Sequence, residues 1–201
     1  MSGSRFTRAI DAIDAANGDD PNTIVLGGVT FPKELAHAEL MTTWVHRLDP
    51  DADEAQLLAA RAHHLRRWSV PRDSYPAGRA GYLRWRTALR KQHAAEVAEI
   101  LSAAGYDDAT IDRVRVIVGK EGLGKGGGAG DAAVQTHEDA LCLVFLETQL
   151  LDTARSLGDD KVVEVLRKTV VKMSPRAVAL VPELALDERG RALVERALAS
   201  S

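Results

Sequence analysis

The order of apolar and polar positions along the chain is helical for most of its length. Phe6, Ala9, Ile10 and Ile13 recur at the spacing of one helix face, which predicts an amphipathic helix over 5–16. Asn17-Gly18 and Pro21 end it. Residues 23–31 can pass for a strand, although Gly27-Gly28 splits them and a loop serves equally well. Pro32 suits the first turn of a helix reaching Leu48. Asp53 or its neighbours open another that runs to Trp68. Pro71, Pro76 and Gly78 interrupt the pattern before a long helix over 80–104, closed by Gly105. A shorter helix over 107–118, capped by Asp108 or Thr110, precedes seven glycines between Gly119 and Gly130. That glycine density predicts a flexible loop. Asp131 caps a helix to Leu157, and helices over 159–173 and 182–199 complete the pattern. The expected fold is all-α: one helical domain over 1–201, about seven helices, with the glycine-rich loop 119–130 inside it.

Composition narrows the function classes more than it names one. A length of 201 residues suits one domain, and 45% hydrophobic against 27% charged residues supplies a sizeable core. With only 4% aromatics, that core is built mainly of Leu, Val, Ile and Ala. Lys+Arg 26 against Asp+Glu 29 gives a net charge of −3, which weighs against a dedicated nucleic-acid binder. The single cysteine, Cys142, excludes an intrachain disulfide and a cysteine-based zinc framework. No apolar run is long enough for a membrane span, and the first residues lack a secretory apolar region. A cytoplasmic protein with no membrane partner is expected.

Candidate chemistry lies where the helical period carries ionisable groups onto apolar faces. His93 sits in the stripe Tyr82, Trp85, Leu89, Val97 and Ile100, where a core histidine hydrogen-bonded to a neighbour is an equally good reading. His137-Glu138-Asp139 opens a helix that is apolar all round over 140–146. Asp139 shares a face with Leu143, Leu146 and Leu150, although a first-turn acid also suits the helix dipole. The segment from Arg61 to Trp68 holds His63, His64, Arg66 and Arg67, and Arg72, Arg79, Arg84 and Arg86 follow. In an acidic protein this stretch makes a local positive field suited to an anion such as a phosphate or carboxylate. The first core helix adds Lys33, Glu34, His37, Glu39 and His46, with Glu39 beside Leu35, Thr42 and His46.

Residues 119–125 spell G-x-x-x-x-G-K after the strand-like run Val114 to Val118. Gly126, however, stands where a phosphate-binding loop needs a hydroxyl for magnesium. A lid carrying Lys120 and Lys125 to an anion is the better use of the loop. There is no G-x-S-x-G elbow, and Cys142 lies inside the most apolar helix. What survives is a cluster of histidines and carboxylates from several helices, suited to Zn, Mn, Fe or Mg.

Several long motifs carry a family resemblance over about residues 5–185. They include Ile13 to Asn17, Pro32 to Leu35, Arg66-Arg67-Trp68, Tyr75-Pro76, Trp85-Arg86, Gln135-Thr136 with Glu138-Asp139, and Lys172-Met173-Ser174. Together they resemble the DUF4202 family, helical proteins whose name implies no activity. A more distant resemblance is to the HD-domain metal-dependent phosphohydrolases. Their ordered ligands map onto Glu39 or His37, then His63-His64, then Asp139, with His-His standing where that family has His-Asp. The likeness implies a hydrolase of a small phosphorylated or carboxylated metabolite that uses a divalent metal (Mn, Fe, Zn or Mg). His64 and Asp139 would hold the metal, with His63, His93 or Glu39 completing the shell. Glu138, His93 and Lys120 would be catalytic, and Lys33, Arg61, Arg67, Arg72, Arg79 and Arg86 would bind the anion. Two alternatives stay open: a metal-free anion- or nucleotide-binding protein, and a lyase or isomerase using histidine acid–base chemistry. The sequence leaves the oligomeric state open.

Overall fold

Side-chain caps begin most of the helices and set their register. In the computed structural model, which describes residues 3–124 and 130–199, Ser4 accepts from the Thr7 amide at the start of α1 (Arg5–Gly18). Asp53 and Gln56 form a reciprocal capping box on α3 (Glu54–Arg61). Asp107, rather than the expected Asp108 or Thr110, caps α5 (Asp108–Gly119). Asp131 caps α6 (Ala132–Thr148) as expected; the Arg113 guanidinium beside it brings the Asp131 carboxyl down to about 2. The remaining helices are α2 (Lys33–Leu48), α4 (Gly78–Ala104), α7 (Leu150–Leu157), α8 (Asp159–Val170), α9 (Pro175–Leu180) and α10 (Glu188–Leu198). The fold is all-α but for one small sheet.

That sheet is the hairpin β1 (Thr23–Leu26) and β2 (Val29–Pro32), paired antiparallel with Thr23 opposite Pro32 and Leu26 opposite Val29. Gly27 and Gly28 make its two-residue turn with φ of +57° and +83°, a conformation glycine adopts without strain. The pair that seemed to split a strand therefore joins two.

Ten α-helices among the described residues stand against about seven expected, and three of the long predicted helices are shortened or split. The helix expected to reach Trp68 stops at Arg61, and single 3-10 turns follow at 67–69 and 72–74. The helix expected from Asp131 to Leu157 breaks at Gln149, whose φ is −126°. The segment expected as one helix over 182–199 holds a 3-10 turn at 181–183 and then α10, with α9 before it. The run Val114 to Val118 is helical, with Val114, Ile117 and Val118 buried at i, i+3 and i+4. The glycine-rich loop expected over 119–130 falls partly on residues 125–129, Lys125 among them, outside the described residues.

Two apolar clusters form the core. One gathers Ile13, Leu58, Val97, Leu101, Ile117 and Val134 from α1, α3, α4, α5 and the start of α6. The other gathers Met41, Val45, Leu143, Leu150, Leu166 and Leu193 from α2, the rest of α6, α7, α8 and α10. Helix α6 thus serves both clusters, and its polar run His137-Glu138-Asp139 falls between the two portions. No helix among the described residues is long and apolar enough to cross a membrane.

The 71–77 connection is held against the first turns of α4. Arg72 donates to the carbonyls of Tyr75 and Pro76, and a Cβ on buried Gly81 would lie 1.8 Å from the Pro76 oxygen. Gly81→Ala is expected to cost ~2 kcal/mol and lower Tm by roughly 4–8 °C in calorimetry. Gly18→Ala, with open space around its Cβ, should leave Tm within about 2 °C of the parent.

Candidate functional site

The chain between α3 and α4 places the site. After Arg61 it turns through His64 at φ +58° and Arg66 at φ +47°. These two and Lys120, at φ +57°, are the non-glycine residues with positive φ among the described residues. Such strained backbone tends to gather where surrounding contacts over-determine it for function. The Arg66 amide donates to the side-chain oxygen of buried Asn17 at 3.3 Å, fixing the turn to α1. Its effect is to lay the rings of adjacent residues His63 and His64 side by side, with centroids 3.8 Å apart. On a continuing helix, neighbours would point about 100° apart.

Beside these rings lies a cleft of about 280 Å³. Leu89, Val118, Leu141, Phe145 and Val165 line its apolar wall, and Arg67, Arg86, Arg90, Lys120 and Lys172 bring positive charge to it. The Arg67 guanidinium lies 4.8 Å from the centre of the Trp85 ring and donates to His64 Nε2 at 3.0 Å. Lys120 is buried against Glu138, and Lys172 reaches the other Glu138 oxygen at 3.8 Å. Burial pulls the Lys120 ammonium below its usual value, and Glu138 opposes that shift. Cys142 also faces the cleft, with burial foremost and Glu138 next raising its thiol to about 12, so it is an inert wall group.

The histidines are held neutral. Burial, reinforced by neighbouring histidines and Lys120, pushes His63 well below its ordinary value, and His63 Nδ1 lies 3.2 Å from His137 Nε2. Burial and then Arg67 do the same to His64. Burial lowers His137 to about 3. For His93 burial outweighs the opposing hydrogen bond to the Leu65 carbonyl, and the ring falls to about 4. Its Nδ1–H donates to that carbonyl at 2.8 Å, so Nε2 is a buried lone pair without a partner.

Next to His64, outside the cleft lining, Glu34 and His37 stand one turn apart on the buried face of α2. Glu34 Oε2 is 3.5 Å from His37 Nδ1 and 3.5 Å from His64 Nδ1, and it has no hydrogen-bond partner. Ligand atoms of these three residues all lie within 4.8 Å of one another, an arrangement that can hold a metal ion. Thr148 gives its hydroxyl proton to the Val144 carbonyl at 2.7 Å, so at 3.4 Å from His37 Nε2 it can only accept. His37 Nε2 is therefore the donor in that contact, and its Nδ1 is turned towards the Glu34 carboxylate. A buried carboxylate oxygen flanked by two imidazole nitrogens is a donor set suited to a cation.

Of the metal ligands expected from sequence, His64 enters this group, and so does His37, the alternative to Glu39 for the first ligand. His63 contacts His137 instead. Glu39 is exposed on the other side of α2, 3.3 Å from Arg61. Asp139 is buried, but both of its oxygens are taken: Oδ1 accepts from the Ser174 amide and Gln135, and Oδ2 accepts from the Ser174 hydroxyl. Of the expected anion-binding residues, Arg67 and Arg86 line the cleft. Arg61 is engaged bidentately by Asp14, and Arg72 is spent on backbone carbonyls. Arg79 is exposed on α4, and Lys33 begins α2 with its amide on Asn22; neither lines the cleft. Of the expected catalytic residues, Glu138, His93 and Lys120 all line it. Glu34 is the member of this group that sequence reasoning did not single out as a ligand. Its signal was position: Glu34 and His37 continue backwards the buried stripe of Ala38, Met41, Val45 and Leu48.

Comparison with known protein families matches residues 7–194 to the family described as a domain of unknown function, DUF4202. No curated protein and no solved structure matches. The HD-domain likeness has no support among these comparisons.

Two measurements follow from the packing of these groups. Asp139→Ala is expected to cost ~3 kcal/mol, read as a fall in the denaturation midpoint, because it strips the Ser174 cap of α9 and leaves buried donors unpaired. If Asp139 were a ligand instead, the variant would lose bound metal. The unfolded chain takes up protons on His63, His64, His93 and His137 below about pH 6.5, where the folded chain does not. Their stabilising effect is therefore complete above that pH and is lost as pH falls towards about 4, where His93 titrates in the fold. The slope is on the order of 1 kcal/mol per histidine per pH unit. Tm should fall across this window, and less steeply in His93→Gln; equal slopes would contradict a buried neutral His93.

Proposed function

The chain belongs to the DUF4202 family, and from the site on this scaffold we propose that the protein is a metal-dependent hydrolase of a small phosphorylated or carboxylated metabolite. The observation that carries this reading is the position of His64. It belongs both to the buried Glu34–His37–His64 group and to the wall of the cationic cleft. A metal-binding group and an anion-binding surface thus meet at one imidazole. The cleft volume of about 280 Å³ suits a small metabolite.

Glu34, His37 and His64 would hold a divalent ion, one carboxylate and two imidazoles being a donor set that Zn, Mn or Fe accepts. Such an ion supplies a Lewis acid that polarises the bond to be cleaved. The protein's own groups do the rest. Arg86 and Arg90 at the exposed side and Arg67 within bind the anion and orient it. Lys120 adds fixed charge where negative charge develops, while Glu138, itself paired with Lys172, holds Lys120 in place. His93 Nε2, an unprotonated lone pair at neutral pH, accepts the proton that an attacking water gives up. The apolar wall of Leu89, Leu141 and Phe145 limits competing solvent.

One observation favours a second reading. The partnerless His93 Nε2 faces the cleft whether or not an ion is present, which would suit a metal-free lyase or isomerase. Elemental analysis of protein purified without a metal-binding tag decides between them. About one divalent ion per chain is expected, lost in Glu34→Gln and in His37→Ala, together with phosphate-ester or carboxylate hydrolysis that stops in chelator. Turnover that persists in chelator would transfer the chemistry to His93 alone. Anion binding with no turnover under any condition would leave a binding protein.

A further inference from the structure

Arg67 and a metal ion compete for the same imidazole. A neutral imidazole has one lone pair. In this structure the lone pair of His64 is on Nε2, because a guanidinium can only donate, and Arg67 donates to Nε2 at 3.0 Å. The proton of His64 is then on Nδ1, the atom that faces Glu34 Oε2 at 3.5 Å. An ion between Glu34, His37 and His64 needs that Nδ1 bare. Moving the proton to Nε2 would set an N–H against the Arg67 N–H, donor against donor, so Arg67 has to leave. His37 has no such conflict, since its Nε2 already donates to Thr148 and its Nδ1 faces Glu34 rather than a guanidinium.

The cleft itself supplies what draws Arg67 away. Its guanidinium lies in the cleft among Arg86, Arg90 and Lys120, three like charges with no carboxylate but the lysine-bound Glu138 lining the same space. An anion entering the cleft offers Arg67 a charged bidentate acceptor in place of a neutral ring nitrogen. The stack on Trp85 gives the side chain a platform on which to turn.

We infer that Arg67 couples the two halves of the site: anion binding in the cleft withdraws Arg67 from His64 and so permits the metal to bind, and bound metal in turn favours the anion. The inference rests on the metal-site reading above and specifies its regulation. By linkage the coupling is reciprocal, and one charged hydrogen bond exchanged for another makes it on the order of tenfold.

The test measures Mn²⁺ binding to the full chain by the loss of the free-ion EPR signal, with and without inorganic sulfate at ionic strength matched by chloride. Sulfate is expected to tighten Mn²⁺ binding about tenfold in the parent chain. Arg67→Met is expected to bind Mn²⁺ about tenfold more tightly than the parent without sulfate, and to gain nothing from it. Because loss of the Trp85 stack could unsettle the variant, long-range ¹H–¹⁵N spectra of the parent give a second readout. His64 should carry its proton on Nδ1 in the ligand-free chain and on Nε2 once Zn²⁺ and sulfate are added. An Nε2–H tautomer in the ligand-free chain, or Mn²⁺ affinity indifferent to both sulfate and Arg67→Met, overturns the coupling while leaving the metal site intact. No metal binding under any condition overturns both.

Discussion

A seam of polar groups buried between two apolar clusters governs this structure. His63, His93, His137, Glu34, Glu138 and Asp139 all lie at 5% exposure or less, where water cannot satisfy them. Each must find its partner within the protein, and each partner comes from a different element: Leu65 for His93, His137 for His63, Lys120 for Glu138, Ser174 for Asp139. Unpaired, such groups cost on the order of 1–3 kcal/mol apiece, so the elements that bring their partners are fixed relative to one another. Helix α6, which supplies three consecutive members of the seam while packing into both clusters, is where the two halves are joined.

The seam divides into a satisfied part and an unsatisfied one. Asp139 and Glu138 are fully engaged and act as joints between helices. Glu34 Oε2, His63 Nε2, His93 Nε2 and His137 Nδ1 have no hydrogen-bond partner, and the first three belong to residues in or against the cleft. Buried polar atoms left open beside strained backbone at His64 and Lys120 mark the part of the seam that stability alone does not explain. Asp139, which looks like a ligand from its order along the chain, has both oxygens engaged by Ser174 and Gln135, whereas Glu34 keeps an oxygen without a hydrogen-bond partner.

Much of the fold was legible because it depends on local chemistry. Caps at Asp53 and Asp131, the stop at Gly105 and the stripe of His93 on α4 are all stated by neighbours in sequence. The break after Arg61 was not, since Ala-His-His-Leu-Arg-Arg has ordinary helix propensity and no glycine to mark two left-handed residues. There the contacts of Asn17, His137 and Trp85, far away in sequence, overrode the local preference. The same limit applies to the site. His64, Arg67 and Arg86 could be found as members of a basic, histidine-rich stretch. Glu34 reads as a first-turn acid until α6 is seen to cover it, and Arg61 reads as an anion ligand until Asp14 is seen to hold it. Sequence spacing ranks residues by type, whereas burial decides which of them already have partners.

The stack of Arg67 on Trp85 gives the molecule an optical handle of its own. Trp85 is 7% exposed, and its indole N–H is tied to the Val70 carbonyl at 2.9 Å, so the ring itself is fixed while the cation above it rests on the ring and donates to His64. A positive charge fixed over one face of an indole shifts the energy of its excited state. Removal of that charge is therefore visible in the emission of Trp85 without any label. Occupancy of the cleft becomes a spectroscopic quantity, so candidate ligands can be ranked by colour before any reaction is known.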